Sequence, residues 1–442
     1  MAVKQYRIAE IWKYRRPERM MFLWTFLAIA VGYGVIMMRK GGVSSLTIRD
    51  AMPLAVYLAG IITVHLALVL IKFRGDPLLL CAVFFLAGIG MLARFRLGGA
   101  DDHFVIQNLS SFAFPLGLAL MLLLILLFRK GRYRILEPLA VPCVIAAIAL
   151  LGAIFVWGER YRGALFFTGY TNPSELVKIL LIIFLSGFLI RWRKELKDTA
   201  AGLPRLTSTA VILLLIFWGM PMALLLVQRD LGLIVMLNAV LIVLIFMATG
   251  RASYLAVGFL FGAAFCVAAY AFTAHGQARF VTWLNPFADA TGKSWQILQA
   301  LSAMYSGGLW GVGLGGGSPE YIPIASSDLV YAVIGEEIGY VGCGVVVVFF
   351  LALFFRGYRI ASQVANPFGR LLAAGIVTTL TFQTLLKIGG VTKSLPLTGT
   401  TLPFISHGGS SLLTTFLSVG LLLALSEKEP APDRAKKAKT KT

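Results

Sequence analysis

Twelve runs of mostly apolar residues, most of them near the length of a bilayer-spanning helix, recur along this chain: 20–38, 51–72, 77–94, 110–128, 138–157, 176–190, 208–227, 231–248, 253–273, 329–355, 370–393 and 408–426. Crossing about 30 Å of hydrocarbon takes about 20 such residues in a helix. Backbone polar groups are satisfied there only within helices or closed barrels. The spacing therefore predicts an all-α fold, a polytopic membrane helical bundle of about twelve spans. Charged residues make up 14% of the sequence, against roughly a quarter in soluble domains, which excludes a soluble globule.

A net charge of +20 would suit a nucleic-acid binder, but its distribution argues against one. Of the 40 Lys and Arg residues, 27 fall in 1–19, 72–76, 129–137, 191–207, 249–252, 356–370 and the tail, and 12 belong to the opposite side. Basic residues favour the cytoplasmic face, so both termini are expected in the cytoplasm. The stretch 1–19 reads as a signal-anchor, with no small-residue cleavage site after it. The basic tail 427–442 reads as a solvated anchor over an anionic leaflet. Cys81, Cys143, Cys266 and Cys343 lie in apolar runs without metal-ligand spacing, as packing residues do.

Between the last two runs stands LPLTGTTLPFISHGGSS, 395–411. Breakers and hydroxyls at membrane depth are tolerated only where they line a polar cavity or are buried in protein, so this segment is read as one wall of a site. The connection 274–328 is far longer than an ordinary loop, and its aromatic content argues against disorder. Apolar positions at three and four predict a helix from Ser294 to Tyr305. The glycine run Ser306–Ser318 contains a GxGxxG spacing without a preceding strand, and a tight interfacial turn fits it better than a dinucleotide site.

Ionisable residues near the membrane are functional candidates by default. Asp230, in QRDLGL, faces the outer mouth as either a helix N-cap or a catalyst. Glu175 and Lys178, in NPSELVK, share one helix face; they neutralise one another, or Lys178 holds an anionic group. Of Glu336 and Glu337 at least one should be buried and paired, with Lys387 or Lys393 as partner. His407, alone among glycines, reads more readily as a packing residue than as a catalyst.

YTNPSELVKI, QRDLGL, SGGLWGVGLGGGS followed by SSDLVYAVIGEEIGYVG, and LPLTGTTLPFISHGGSS together resemble the SEDS family, the RodA, FtsW and SpoVE group, over about residues 77–426. The resemblance implies a ten-span core preceded by an extension, 1–76, that adds two N-terminal helices. It implies a peptidoglycan glycosyltransferase that polymerises lipid II in the bacterial cytoplasmic membrane beside a class B penicillin-binding protein. Asp230 matches the essential aspartate, here the general base; Glu175 and Lys178 match a polar pair; 274–328 matches the large outer loop. Arg229 stands where the family usually has Pro and should depress the Asp230 carboxyl, and His407 stands in place of Tyr. Arg229, Lys178, Arg279 and Lys387 are the cationic groups expected to hold the diphosphate, with Ser406, His407 and Ser410 on the substrate wall. No metal-ligand cluster is evident, although a divalent cation (Mg or Mn) could share the diphosphate. A lipid II flippase and an inactive scaffold are the competing readings. A flippase predicts polar residues continuing to the inner face, and the inner halves of the spans are apolar. A scaffold has no need of buried charge.

Overall fold

The computed structural model describes residues 8–41, 48–98, 109–161, 164–166, 173–197, 199–200, 203–204 and 209–429. All twelve apolar runs are helical. In chain order the helices are α1 (Ile8–Tyr14), α2 (Arg16–Gly41), α3 (Ile48–Leu70), α4 (Leu79–Leu97), α5 (Leu109–Phe128), α6 (Ala140–Trp157), α7 (Ser174–Arg191), α8 (Arg193–Lys197), α9 (Thr209–Val227) and α10 (Leu231–Thr249). They continue with α11 (Ser253–Phe272), α12 (Ala274–Leu284), α13 (Trp295–Gly307), α14 (Val330–Gln363), α15 (Pro367–Val391) and α16 (Gly409–Ser426). Ten of these are long and apolar enough to cross a bilayer. The other two predicted spans are α5, whose apolar stretch is Phe112–Phe128, and α7, which carries Glu175, Lys178 and Arg191. Two short antiparallel pairs, Glu159–Tyr161 with Ala164–Phe166 and Thr199–Ala200 with Leu203–Pro204, modify the all-α expectation in connections only.

The core of the bundle is α4, α7, α15 and α16, most of whose residues are buried, whereas α11 is almost wholly exposed along its length. The apolar side chains of α11 thus face what would be lipid. Hydroxyls inside the core are satisfied within their own helices: Thr378, Thr379 and Thr384 each donate to the carbonyl four residues back, at 2.7 to 2.8 Å, which lets small polar residues sit deep without orphaned groups.

Segments assigned by charge to one side do meet at one end of the bundle. Arg129 Nε donates to Glu427 Oε2 at 3.1 Å, Arg134 pairs with Glu429 at 2.5 Å, Arg356 pairs with Asp76, and Arg15 Nη1 reaches the Phe73 carbonyl. The basic tail beyond Glu429 lies outside the described residues. The first two long helices are fastened to the rest rather than loosely appended. Tyr57 donates to the Phe84 carbonyl at 2.8 Å, and Arg15, Glu18 and His65 form a buried ionic cluster between α2 and α3.

At the opposite end the glycine run repairs a broken helix. Gly339, with φ 72° and ψ −174°, interrupts α14, so backbone groups on either side lose their helical partners. Val312 N and Gly313 N donate to the carbonyls of Glu336 and Glu337 at 2.9 and 3.0 Å, and Tyr340 N and Val341 N donate to the carbonyls of Gly308 and Leu309 at 3.0 and 3.1 Å. Such close approach explains the glycines. A Cβ on Gly311 would lie 2.3 Å from the Glu337 carbonyl oxygen, and one on Gly339 would lie 2.4 Å from Gly311 N. The interfacial turn read from the sequence is therefore the second half of a helix repair.

The carboxylates beside the break do not pair with Lys387 or Lys393 as expected. Glu337 meets Arg96 at 2.7 Å and accepts from Gly315 N at 2.9 Å, while Glu336 accepts from Ser318 N at 3.0 Å. The physical reason is position: the glycine run carries its own amides up to these side chains, and α4 brings Arg96 to the same level. Gly339→Ala should destabilise the protein by about 2–4 kcal/mol, through overpacking and a left-handed φ. Gly344→Ala, on the same helix with no atom within 4 Å of the added Cβ, should be neutral. Thermal unfolding of the detergent-solubilised variants reads the difference.

Candidate active site

Asp230 is placed by a turn of three residues. Gln228 is anchored by its side-chain amide to the Leu151 carbonyl at 3.1 Å, and Arg229 takes a left-handed φ of 64°. Asp230 then falls at the N-cap of α10, its Oδ1 accepting from Leu233 N at 3.1 Å. The cap reading is correct but uses one oxygen; among the described residues Oδ2 accepts no hydrogen bond from protein. Burial raises the carboxyl above the usual aspartate range, the Leu233 amide lowers it, Glu175 raises it, and Arg279 and Lys178 lower it. Burial prevails although part of the side chain stays open at the mouth. The expected depression by Arg229 gives way to this balance: Arg229 is exposed, and the cations that act on Asp230 come from α7 and α12.

Glu175 and Lys178 meet as their spacing predicts, at 2.6 Å. Lys178 Nζ also donates to Gln383 Oε1 at 2.9 Å, and Gln383 Nε2 donates to both oxygens of Thr401 at 3.0 Å. Thr401 Oγ1 lies 2.6 Å from Ser411 Oγ, and Thr414 Oγ1 lies 3.3 Å from Glu175 Oε2. Polar groups thus run from α7 through α15 and the 395–411 segment to α16 and back. Of the hydroxyls in 395–411, those of Thr401 and Ser411 join this network.

The same wall carries the second cation. Arg279 Nη1 donates to the Leu397 carbonyl at 3.0 Å. A Cβ on Gly232 would sit 3.1 Å from Thr398 and 3.2 Å from Thr400, so the first turn of α10 packs directly on the wall. Beside it opens a cavity of about 640 Å³, bounded by α12, the start of α13 and residues 390–399, with Arg279, Trp283 and Thr398 in its lining.

Other candidates lie elsewhere. Lys387 is fully buried and pairs with Asp328 at 2.8 Å, a tie between α15 and the entry to α14 that removes it from any diphosphate. Ser406 accepts from Leu402 N at 2.9 Å and donates to the Ser327 carbonyl at 2.6 Å, which closes the turn of the wall. His407 N donates to the Ser326 carbonyl, and burial, then Arg94, push its imidazole down. Ser410 gives its carbonyl to Thr414 Oγ1 at 3.0 Å.

Gln383 and Asp328 are the residues that reading the sequence missed. Gln383 carried a signal, a polar residue one helical turn before Lys387 in an apolar run; Asp328 carried none until the fold brought it to Lys387.

The network makes a stability prediction. Glu175 and Lys178 are largely buried, and removing one partner of such a pair costs about 3–5 kcal/mol. Lys178→Met should therefore lower the melting temperature sharply, and adding Glu175→Gln should recover most of the loss, as thermal unfolding would show.

Comparison with known proteins places this geometry. The sequence profile of the FtsW/RodA/SpoVE family, described as a cell cycle protein, matches residues 70–430. The chain is 34% identical over 389 residues to the peptidoglycan glycosyltransferase RodA of Mycobacterium bovis, covering 84% of this chain and 82% of that one. It is 36% identical over 305 residues to the probable peptidoglycan glycosyltransferase FtsW of Geobacter metallireducens, covering 67% and 79%. Among solved structures it resembles a chain of a peptidoglycan synthase complex that coordinates polymerization and crosslinking, with TM-score 0.63 and 27% identity over 80% of this chain and 98% of that one. It also resembles the Rod shape determining protein RodA of Thermus thermophilus, with TM-score 0.56 and 26% identity over 80% and 97%. Matched by this profile over residues 70–430, the chain, a bundle of apolar helices of membrane-spanning length, belongs to the FtsW/RodA/SpoVE family.

Proposed function

We propose that this protein is a peptidoglycan glycosyltransferase of the bacterial inner membrane, polymerising lipid II into glycan strands with Asp230 as general base. The observation that carries the assignment is the state of Asp230. One oxygen holds it in place through the Leu233 amide, the other is open at the mouth, and two cations act on it from different helices. Forming the new glycosidic bond requires the acceptor hydroxyl oxygen to attack the anomeric carbon of the donor. The bond to the lipid diphosphate breaks, the diphosphate leaves with the electron pair, and Oδ2 of Asp230 takes the hydroxyl proton. A carboxyl raised by burial is a stronger base once ionised than one in water.

Arg279, beside the wall, is the cation that would take up negative charge on the leaving diphosphate, while Lys178, already shared between Glu175 and Gln383, acts on Asp230 at longer range. Attack from the side opposite that group inverts the anomeric centre, giving a β-linked strand from an α-linked donor. Among the described residues no three His, Cys, Asp or Glu side chains come together. A divalent cation at this site would be held by Asp230 or Glu175 together with the diphosphate.

In this reading residues 77–426 form the ten-span polymerase core, including the outer loop 274–328. Residues 1–76 add two further spans, and 427–442 is a basic cytoplasmic tail. Twelve spans then put both termini in the cytoplasm and Asp230 outside, where the sugars of a membrane-anchored donor hang. A class B penicillin-binding protein is the partner that would crosslink the product.

The test is polymerisation of purified lipid II by the solubilised protein, with and without a penicillin-binding partner lacking its own glycosyltransferase. Wild type should give glycan strands. Asp230→Asn, which keeps an N-cap acceptor, should lose on the order of 10²–10⁴-fold in rate, the range for removing a general base, while its melting temperature stays near wild type. Equal product from both would remove Asp230 from the chemistry.

A further inference from the structure

The cavity beside the wall holds a charged group that the mechanism above leaves unused. Lys393 stands two residues past the C-terminus of α15, with a left-handed φ of 58°. It lines the cavity half-buried, and among the described residues its ammonium meets no protein acceptor. Its backbone is pinned, because Trp283 Nε1 donates to the Lys393 carbonyl at 3.0 Å. The anion in the lining, Asp328, is already paired with Lys387, and the other lysine there, Lys293, is exposed where Lys393 is half-buried. An anion entering this space therefore finds Lys393 available.

Trp283 and Trp295 both border the cavity, as do Thr282 and Gln296. Aromatic faces with a few convergent hydrogen-bonding groups suit a saccharide. Arg279, near Asp230, and Trp283, against Lys393, are four residues apart on α12 and so share a face. The separation along the helix is about 6 Å at 1.5 Å per residue, roughly the span of one sugar ring. Arg279 is tied to the wall at Leu397, and Trp283, one turn along α12, is tied to the backbone of Lys393.

Resting on the glycosyltransferase reading, we infer that this cavity is a binding subsite for the saccharide and peptide part of the substrate, in which Lys393 recognises a carboxylate of the peptide and Trp283 and Trp295 flank the sugar. It distinguishes a peptide-bearing disaccharide from an unsubstituted one at a point separate from the chemistry. The other anion of the substrate, its diphosphate, stays with Arg279.

A binding measurement without turnover tests this. A soluble disaccharide-peptide lacking lipid and diphosphate, the same compound with its peptide carboxylates amidated, and inorganic pyrophosphate would each be titrated into the full-length solubilised protein, following tryptophan fluorescence. The acid form should bind wild type about five- to tenfold more tightly than the amidated form, the scale of one partly desolvated charge contact. Lys393→Gln should weaken the acid form by that factor, leave the amidated form unchanged, and leave pyrophosphate binding unchanged. Lys393→Arg should restore the preference. Failure of the acid form to bind, an unaltered acid preference in Lys393→Gln, or an equal loss for pyrophosphate would each overturn the assignment. Lipid II polymerisation by the same wild-type preparation separates failure of this subsite from failure of the glycosyltransferase reading.

Discussion

At membrane depth every backbone amide and carbonyl must find a partner in the protein, since leaving one unpaired costs several kcal/mol. The end of the bundle that holds Asp230 is organised around meeting that demand without regular helix. Where Gly339 breaks α14, the run 308–313 supplies donors and acceptors to both sides of the break. Where α15 ends, residues 395–411 fold into a wall closed by Ser406 and tied to 326–327. Because these two repairs are made, this end can hold polar side chains and a cavity instead of closing into a packed apolar bundle.

Charge in the interior follows the same logic. Three largely buried charges near the site have a partner on another segment or one turn away, Lys178 with Glu175 and Gln383, Lys387 with Asp328 and Glu337 with Arg96, whereas Arg94 and Glu336 each keep one buried atom without a hydrogen bond among the described residues. Pairing fixes helices relative to one another, since the desolvated partners cannot separate without exposing a lone charge. Asp230 departs from this pattern. It is held by a single amide and influenced by Lys178 and Arg279 at longer range, which leaves an oxygen free to exchange a proton. Stability is concentrated in the pairs, and the proposed base is a group left partly unsatisfied.

Periodicity and length made the twelve helices legible from sequence, because an apolar run of bilayer length has few alternatives. The Glu175–Lys178 pair was legible for the same local reason, three residues on one helix face. What sequence could not supply were partners fixed by tertiary approach. Sequence pairs Glu336 and Glu337 with Lys387 or Lys393, yet α4 and the glycine run reach them first. Lys387 was counted as free for substrate, yet Asp328, distant in sequence, occupies it. Arg229 was expected to govern its neighbour, but a left-handed turn points it outward and leaves Asp230 to burial and remote cations. Adjacency in sequence was a poor guide wherever the backbone turns sharply.

The central claim is that Asp230 is a base whose ionisation is set by burial against Glu175 on one side and Arg279 and Lys178 on the other. The most direct measurement is the pH dependence of lipid II polymerisation in wild type, Glu175→Gln and Arg279→Gln. The account predicts a rate that rises with pH through one ionisation above the ordinary aspartate range. Removing the carboxylate at Glu175 should move that rise to lower pH, and removing the cation at Arg279 should move it to higher pH. A rise that stays in place in both variants, or that moves in the same direction in both, would contradict it.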